Sequence, residues 1–397
     1  MPKNKALKSL HYSKTRQQKL KNIRDITAFF TPNNIVYFML PSWPSFKPPS
    51  PLNPRLNAPN LKFDINLTFL LSRARSVRLL QKLLRKPSIA PGIAALSFFP
   101  HGFAVAVSRY SDTERPRLLH CEFVSASEQQ RQAKLEAIAK DHQLADYDCH
   151  ILLSQEQYRS MSVETPAVPA EELRQAVNWR IADMLDYAID QANIDYYRLP
   201  QSNRANTPGM LEVVAVPLQL ADALSLLCKE AGLNVKVIDV QETALRNLAT
   251  LLPENQQGVA VLHLHQNSGI IIIQKNGSIY LSRRIDHGYT QLTEGLHFDS
   301  PEQLQLEQNN LALEIQRSLD YVEHFYDIPP INSLAVVLMP TDSHHIINFL
   351  NINYGITARA MDLSAMIEGD ILLNDTTQNL CAPCIGASLR RYLELPR

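Results

Sequence analysis

The chain is expected to fold as a two-lobed α/β body behind a basic, poorly ordered N-terminal extension, and three observations lead there. Three consecutive strand patterns are followed by alternating helix and strand patterns, and this order is then given a second time. The charges are lopsided. Of 39 basic and 39 acidic residues, positions 1–86 hold 17 Lys or Arg against Asp25 and Asp64 alone, which leaves the rest with 22 basic and 37 acidic. Finally, 45% hydrophobic residues over 397 positions can bury a large core, so disorder throughout is excluded.

Residues 1–76 combine Lys and Arg with the Pro-rich stretch Pro41–Pro51 and apolar residues that keep no period, so no domain is expected there. At 77–88 the pattern becomes basic and amphipathic. Val77, Leu80, Leu83 and Leu84 interleave with Arg78, Lys82, Arg85 and Lys86, suited to lying on anionic lipid, to packing on the body, or to remaining solvated. Nucleic-acid binding would need aromatics interleaved with the basic residues and a body that is not acidic; neither holds, so no nucleic-acid partner is expected. No apolar run approaches the ~18–20 residues that span a bilayer.

The first lobe is assigned to 89–257. It opens with strands at Gly92–Ser97, Phe103–Ser108 and Arg117–Val124, then a helix at Glu128–Gln143 and a strand at Cys149–Leu153. An inserted subdomain at about 166–217 carries a helix over Glu171–Ala188, with Leu173, Val177, Ile181, Met184, Leu185 and Ala188 on one face, and paired strands at Ile194–Arg198 and Met210–Pro217. Leu218–Glu230 is a helix stopped by Gly232, Val235–Val240 a strand and Glu242–Leu251 a helix, before a break at Pro253–Gln257. The second lobe, 258–381, starts with Val259–Leu264 and Gly269–Gln274, turns at Lys275-Asn276-Gly277, and returns over Ser278–Ile285. Helices at Tyr289–Leu296 and Pro301–Tyr326, a strand at Leu334–Met339 and a helix at Ser343–Leu350 follow; a closing helix, Ala382–Glu394, lies in a last segment, 382–397.

Five cysteines, an odd number, point to a reducing compartment. Cys381-Ala-Pro-Cys384 lacks the second pair that a structural zinc needs and does not open a thioredoxin-like unit, so neither a metal nor a redox role is assigned.

Several segments together resemble the PilM-type actin-like proteins of type IV pilus biogenesis, and within them the branch serving the mannose-sensitive haemagglutinin pilus. They are Ala176-Val-Asn-Trp-Arg180 with Ile189–Tyr196, Cys228–Val240 with Ala244–Ala249, Gln291-Leu-Thr-Glu294, Glu314–Leu319, and the ending Ile385-Gly-Ala-Ser-Leu-Arg390. Residues 1–76 lie outside the resemblance, as expected if translation was assigned to an upstream start codon. The resemblance implies a bilobed actin-like ATPase fold of the ribonuclease H-like kind, here with a degenerate nucleotide site. In that family two hairpins close on the phosphates, using an Asp for the metal and Gly, Ser or Thr for backbone approach. The first loop falls on Ala94, Leu96 and Phe98 with Phe99, the second on His263, His265 and Ser268, and the adenosine loop on Met339 and Pro340. With no loop carboxylate to recruit Mg²⁺, catalysis is not expected and no cofactor is assigned. His263 and His265, as alternate residues of one strand, equally fit a locally hydrogen-bonded pair.

The expectation from the resemblance is a non-catalytic cytoplasmic scaffold, peripheral at the inner membrane, that docks a short peptide of a PilN-like membrane protein among other pilus assembly components. A groove between the first lobe and its insertion suits such a peptide. Trp179, Met184, Leu185 and Tyr187 are its candidate contacts, although helix-to-sheet packing explains each as well. The alternative is an active ATP-binding ATPase that drives pilus or type II secretion assembly.

Overall fold

The computed structural model describes residues 90–109, 116–292 and 301–390. The extension 1–76, the amphipathic segment 77–88 and the end of the closing helix fall outside the described residues.

The first lobe begins as the alternating apolar runs demand. β1 (Gly92–Phe99), β2 (Gly102–Arg109) and β3 (Arg117–Ser125) form an antiparallel meander, because a short Pro100-His101 turn leaves only adjacent antiparallel pairing open. Helix α1 (Glu128–Asp141) follows, with Ser127 and Gln130 forming a capping box, and then β4 (Asp148–Leu152), which pairs parallel to β1. The chain next leaves the sheet. β5 (Arg159–Glu164), β6 (Ala192–Arg198) and β7 (Met210–Pro217) build a separate sheet in the order β5-β7-β6, covered by α2 (Leu173–Ile181) through Leu173, Val177 and Ile181. Helix α3 (Leu218–Glu230) returns the chain to β8 (Asn234–Asp239), which lies parallel beside β4.

After α4 (Gln241–Ala249) the same plan repeats. β9 (Val259–Leu264), β10 (Gly269–Lys275) and β11 (Ser278–Ile285) are antiparallel neighbours. Asn276 (φ 51°) and Gly277 (φ 73°) turn β10 into β11, both left-handed as a two-residue Asn-Gly hairpin requires. α5 (Pro301–Tyr326), β12 (Ser333–Val337), α6 (Ser343–Tyr354) and β13 (Thr357–Met361) complete the lobe, with β12 and β13 parallel to β9. The sheet order β11-β10-β9-β12-β13 is the counterpart of β3-β2-β1-β4-β8 in the first lobe. Two ribonuclease H-like units of this kind make an actin-like fold. A two-residue strand, β14 (Glu368–Gly369), then returns to pair with β3.

The last helix, α7 (Asp375–Ser388), packs with α4 between the two sheets, and the central core draws on both helices, on Ile93, Ala95, Ala104 and Ala106 from one sheet and on Val259, Val261, Ile270 and Ile272 from the other. Gly386 permits this closeness, since a Cβ there would stand 2.1 Å from the Ala244 carbonyl oxygen. Arg390 and Asp239, both almost fully buried, meet at 2.8 Å and tie the end of α7 to the end of β8.

Some elements differ from the sequence expectation. The helix expected over Glu171–Ala188 stops at Ile181, tightens into a single 3-10 turn at Ala182–Met184, and turns extended at Leu185, so Met184 leaves the apolar face and stands 52% exposed. The closing helix starts at Asp375, capped by Asn374, rather than at Ala382; Pro383, which reads as a boundary, lies inside it. β5 and β13 carry weak strand patterns and were not expected. β5 presents Ser160 and Ser162 to the carboxylate of Glu212, which replaces the usual apolar alternation on that face.

Candidate functional site: the interlobe cleft and the insertion face

Ala94, Leu96 and Phe98 alternate along β1 and point to one face, where they are buried with Phe103, Tyr158 and Tyr197 and with Leu135 of α1 and Leu224 of α3. Ile93 and Ala95, on the other face, meet the central core. The first-loop residues thus belong to the outer packing of the first lobe.

His263 is fully buried on β9, and its partner explains its presence. Pro383 has no N–H, so the carbonyl of Asn379, four residues earlier in α7, lacks its helical donor. His263 Nε2–H donates to that carbonyl at 2.9 Å. The Asn379 side chain in turn donates to the carbonyls of Leu264 (3.1 Å) and Leu338 (3.0 Å), joining α7 to the ends of β9 and β12. Burial, aided by the neighbouring His265 ring, holds His263 far below its usual pKa, so it is a neutral structural donor.

His265 stands two residues on, its ring 4.3 Å from that of His263, and bonds Gln241 Oε1 at 3.2 Å; burial pushes its pKa down to about 4. The loop between β9 and β10 closes on itself through His265 N–H to the Ser268 carbonyl. Two more of its carbonyls are occupied as well. Tyr289 and Thr290, at the start of the helix after β11, donate their N–H groups to the carbonyls of His265 and Gln266 (2.9 and 3.1 Å). Free N–H groups at a helix start are what an anion would bind, and here the protein's own loop uses two of them.

Met339 is buried against the second-lobe helices, with its N–H on Ser343 Oγ at 2.9 Å, and Pro340 follows it half-buried. The cavity beside Met339, bounded by Leu292, Gln308 and His345, measures about 10 Å³, room for about one water molecule.

A roomier space lies between the insertion and β11. About 480 Å³ in volume, it is lined by Gln155, Tyr158, Tyr187, Glu212, Glu242 and Arg284 among others. Tyr158 donates to Glu242 Oε2 at 2.6 Å, and burial raises the Glu242 pKa to about 7. Sequence reasoning missed Glu242; an acidic residue in the first turn of a helix that is buried on all sides was the available signal.

Of the four insertion residues singled out, Trp179 is 76% exposed on α2 and lines two shallow grooves. One, about 510 Å³, includes Pro166, Val168, Ala176 and Arg180; the other, about 480 Å³, includes Asn178, Ala182 and Ile189. Met184, Leu185 and Tyr187 line neither. Leu185 packs on the insertion core, and Tyr187 faces the cavity that holds Glu242. The five thiols are all buried; a hydrogen bond with the Cys121 thiol, together with burial, raises the pKa of Cys381, and burial raises that of Cys384, leaving little thiolate to react.

The two repeated units and the helix pair between them define a protein of the actin-like class. The family described as Type IV pilus assembly protein PilM matches residues 126–312, from the start of α1 into α5. Among solved structures, the chain is similar to the "PilM-PilN type IV pilus biogenesis complex" at a TM-score of 0.58 and 15% identity, over 76% of this chain and 99% of that one. It is also similar to the cytoplasmic domain of EpsL, an inner membrane component of the type II secretion system of Vibrio cholerae (TM-score 0.41, 14% identity, 74% of this chain and 93% of that one). A protein with an actin-like ATPase fold from Bacteroides thetaiotaomicron gives a TM-score of 0.41 at 11% identity, over 70% and 93% of the two chains. A search of curated proteins found no match. No described helix is long and apolar enough to cross a membrane.

Proposed function

We propose that this chain is a non-catalytic scaffold of type IV pilus assembly, held at the cytoplasmic face of the inner membrane by docking a short segment of a PilN-like membrane protein. The observation that carries this reading is Trp179, a large apolar ring left 76% exposed between two grooves of a rigid helix, the kind of anchor on which peptide affinity concentrates. The match to the PilM family over 126–312 and the fold shared with the PilM–PilN complex support it. The quoted sequence segments favour the finer assignment to MshI of the mannose-sensitive haemagglutinin pilus. The basic extension offers a secondary contact with anionic lipid.

The absence of catalysis is part of the proposal. Ala94 and His263, which take the places of the loop carboxylates in the resemblance, are a packed methyl and a neutral imidazole bonded to a carbonyl. Neither anchors Mg²⁺. The test is capture of a synthetic peptide from a PilN-like membrane protein. Trp179→Glu should weaken capture at least tenfold while the circular dichroism spectrum and melting temperature stay within error; unchanged capture would sink the docking site.

A further inference from the structure

Away from the cleft, on the α1 side of the first sheet, His120, Glu122 and His142 bring one donor atom each to within 4.8 Å of one another. None of the three lines the cavities described above. His120 and Glu122 are alternate residues of β3, held opposite Val107 and Val105 of β2, so both side chains leave the same face. His142 ends α1, where its N–H on the Ile138 carbonyl (3.0 Å) fixes the backbone. Its ring stacks on His120 with centroids 3.6 Å apart and 22° between planes, and no hydrogen bond among the described residues holds it. His120 Nε2 already faces Glu122 Oε1 at 2.8 Å.

We infer that His120, Glu122 and His142 hold a divalent transition-metal ion of the zinc class, with a fourth position left to water. Tetrahedral zinc with bonds near 2.0–2.2 Å sets its donors roughly 3.3 Å apart. The donors lie within 4.8 Å of one another and would close on an ion by side-chain rotation, the stacked imidazoles turning so that their lone pairs converge, while the partly exposed rim leaves an open coordination position. Two imidazoles and a carboxylate suit zinc, cobalt or nickel, whereas magnesium and calcium favour oxygen ligands alone. The ion would replace the direct contact between His120 and Glu122 and clip the end of α1 to the sheet. The inference is independent of the pilus reading.

The test is a calorimetric titration of Zn²⁺ into the full-length wild type, His142→Ala, Glu122→Gln and, as a control, His344→Ala, whose imidazole lies elsewhere on α6. A saturable site is expected in the wild type and the control, with affinity at least tenfold lower in His142→Ala and Glu122→Gln. Zn²⁺ should also raise the melting temperature of the wild type and not that of His142→Ala. Affinity undiminished in both site variants, or no saturable binding by the wild type, overturns the assignment.

Discussion

At the scale of single residues, the most informative contact is the one between His263 and the carbonyl that Pro383 leaves without a donor. Removing the imidazole should cost about 1–3 kcal/mol, the range for an unsatisfied buried acceptor. In a Pro383→Ala background, where residue 383 regains its N–H, His263→Ala should cost less. Urea unfolding of the four proteins measures the difference, and equal costs in both backgrounds would refute this explanation of the histidine. Glu242 gives a second prediction. Its carboxyl titrates near 7 in the fold against 4.5 when unperturbed, so the folded state binds more protons than the unfolded one between those values. The stability associated with the protonated carboxyl is present below about 4.5 and is lost as pH rises through 7. Glu242→Gln stays neutral and keeps an acceptor for Tyr158, so its advantage in melting temperature over the wild type should grow from pH 4.5 to 7.5; a constant difference would contradict it. The sequence offers His263 and His265 as a locally hydrogen-bonded pair, whereas His265 bonds Gln241, 24 residues back, and the reason for His263 was not legible. Its partner lies 116 residues away, and the signal, a proline inside a helix, looked like a helix end.

Among the elements, α7 has the greatest leverage because it packs against α4 and contacts both sheets. Gly386→Ala places a methyl on the Ala244 carbonyl and must push the helices apart. A loss above about 2 kcal/mol is expected from such overpacking, measured by denaturant unfolding, while Ser364→Ala, an exposed position whose hydroxyl accepts one long bond from Gln378 at 3.4 Å, should stay within about 0.5 kcal/mol. The strong periodic elements were legible: the hairpin at Asn276-Gly277, the stripe of α5 from Leu304 to Tyr326, and the capped end of α3 at Gly232. The weaker ones were not. β5 presents serines to a buried glutamate, so no alternation marks it, and β13, Thr-Ala-Arg-Ala-Met, has little side-chain bulk with which to announce a strand. The end of α2 was misjudged because Met184 and Leu185 continue a helical spacing that the backbone abandons after Ile181. The trio of His120, Glu122 and His142 was equally hidden, since two of its members sit on a strand and the third closes a helix.

For the whole molecule, an actin-like pair of lobes is joined by α4 and α7, and a knot of hydrogen bonds centred on Asn379 ties α7 to the second lobe. On the proposed reading, architecture and nucleotide chemistry separate. The order of strands is retained in both halves, while the residues at the loop positions are packed apolar groups on one side and neutral imidazoles on the other. In our account the fold is left as a rigid frame that presents α2 and its Trp179 to a partner. The most direct measurement is a calorimetric titration of the purified chain with ATP and Mg²⁺ at pH 7.5. No saturable heat is expected up to millimolar ATP; saturable binding at micromolar concentration that depends on Mg²⁺ would contradict a filled nucleotide site.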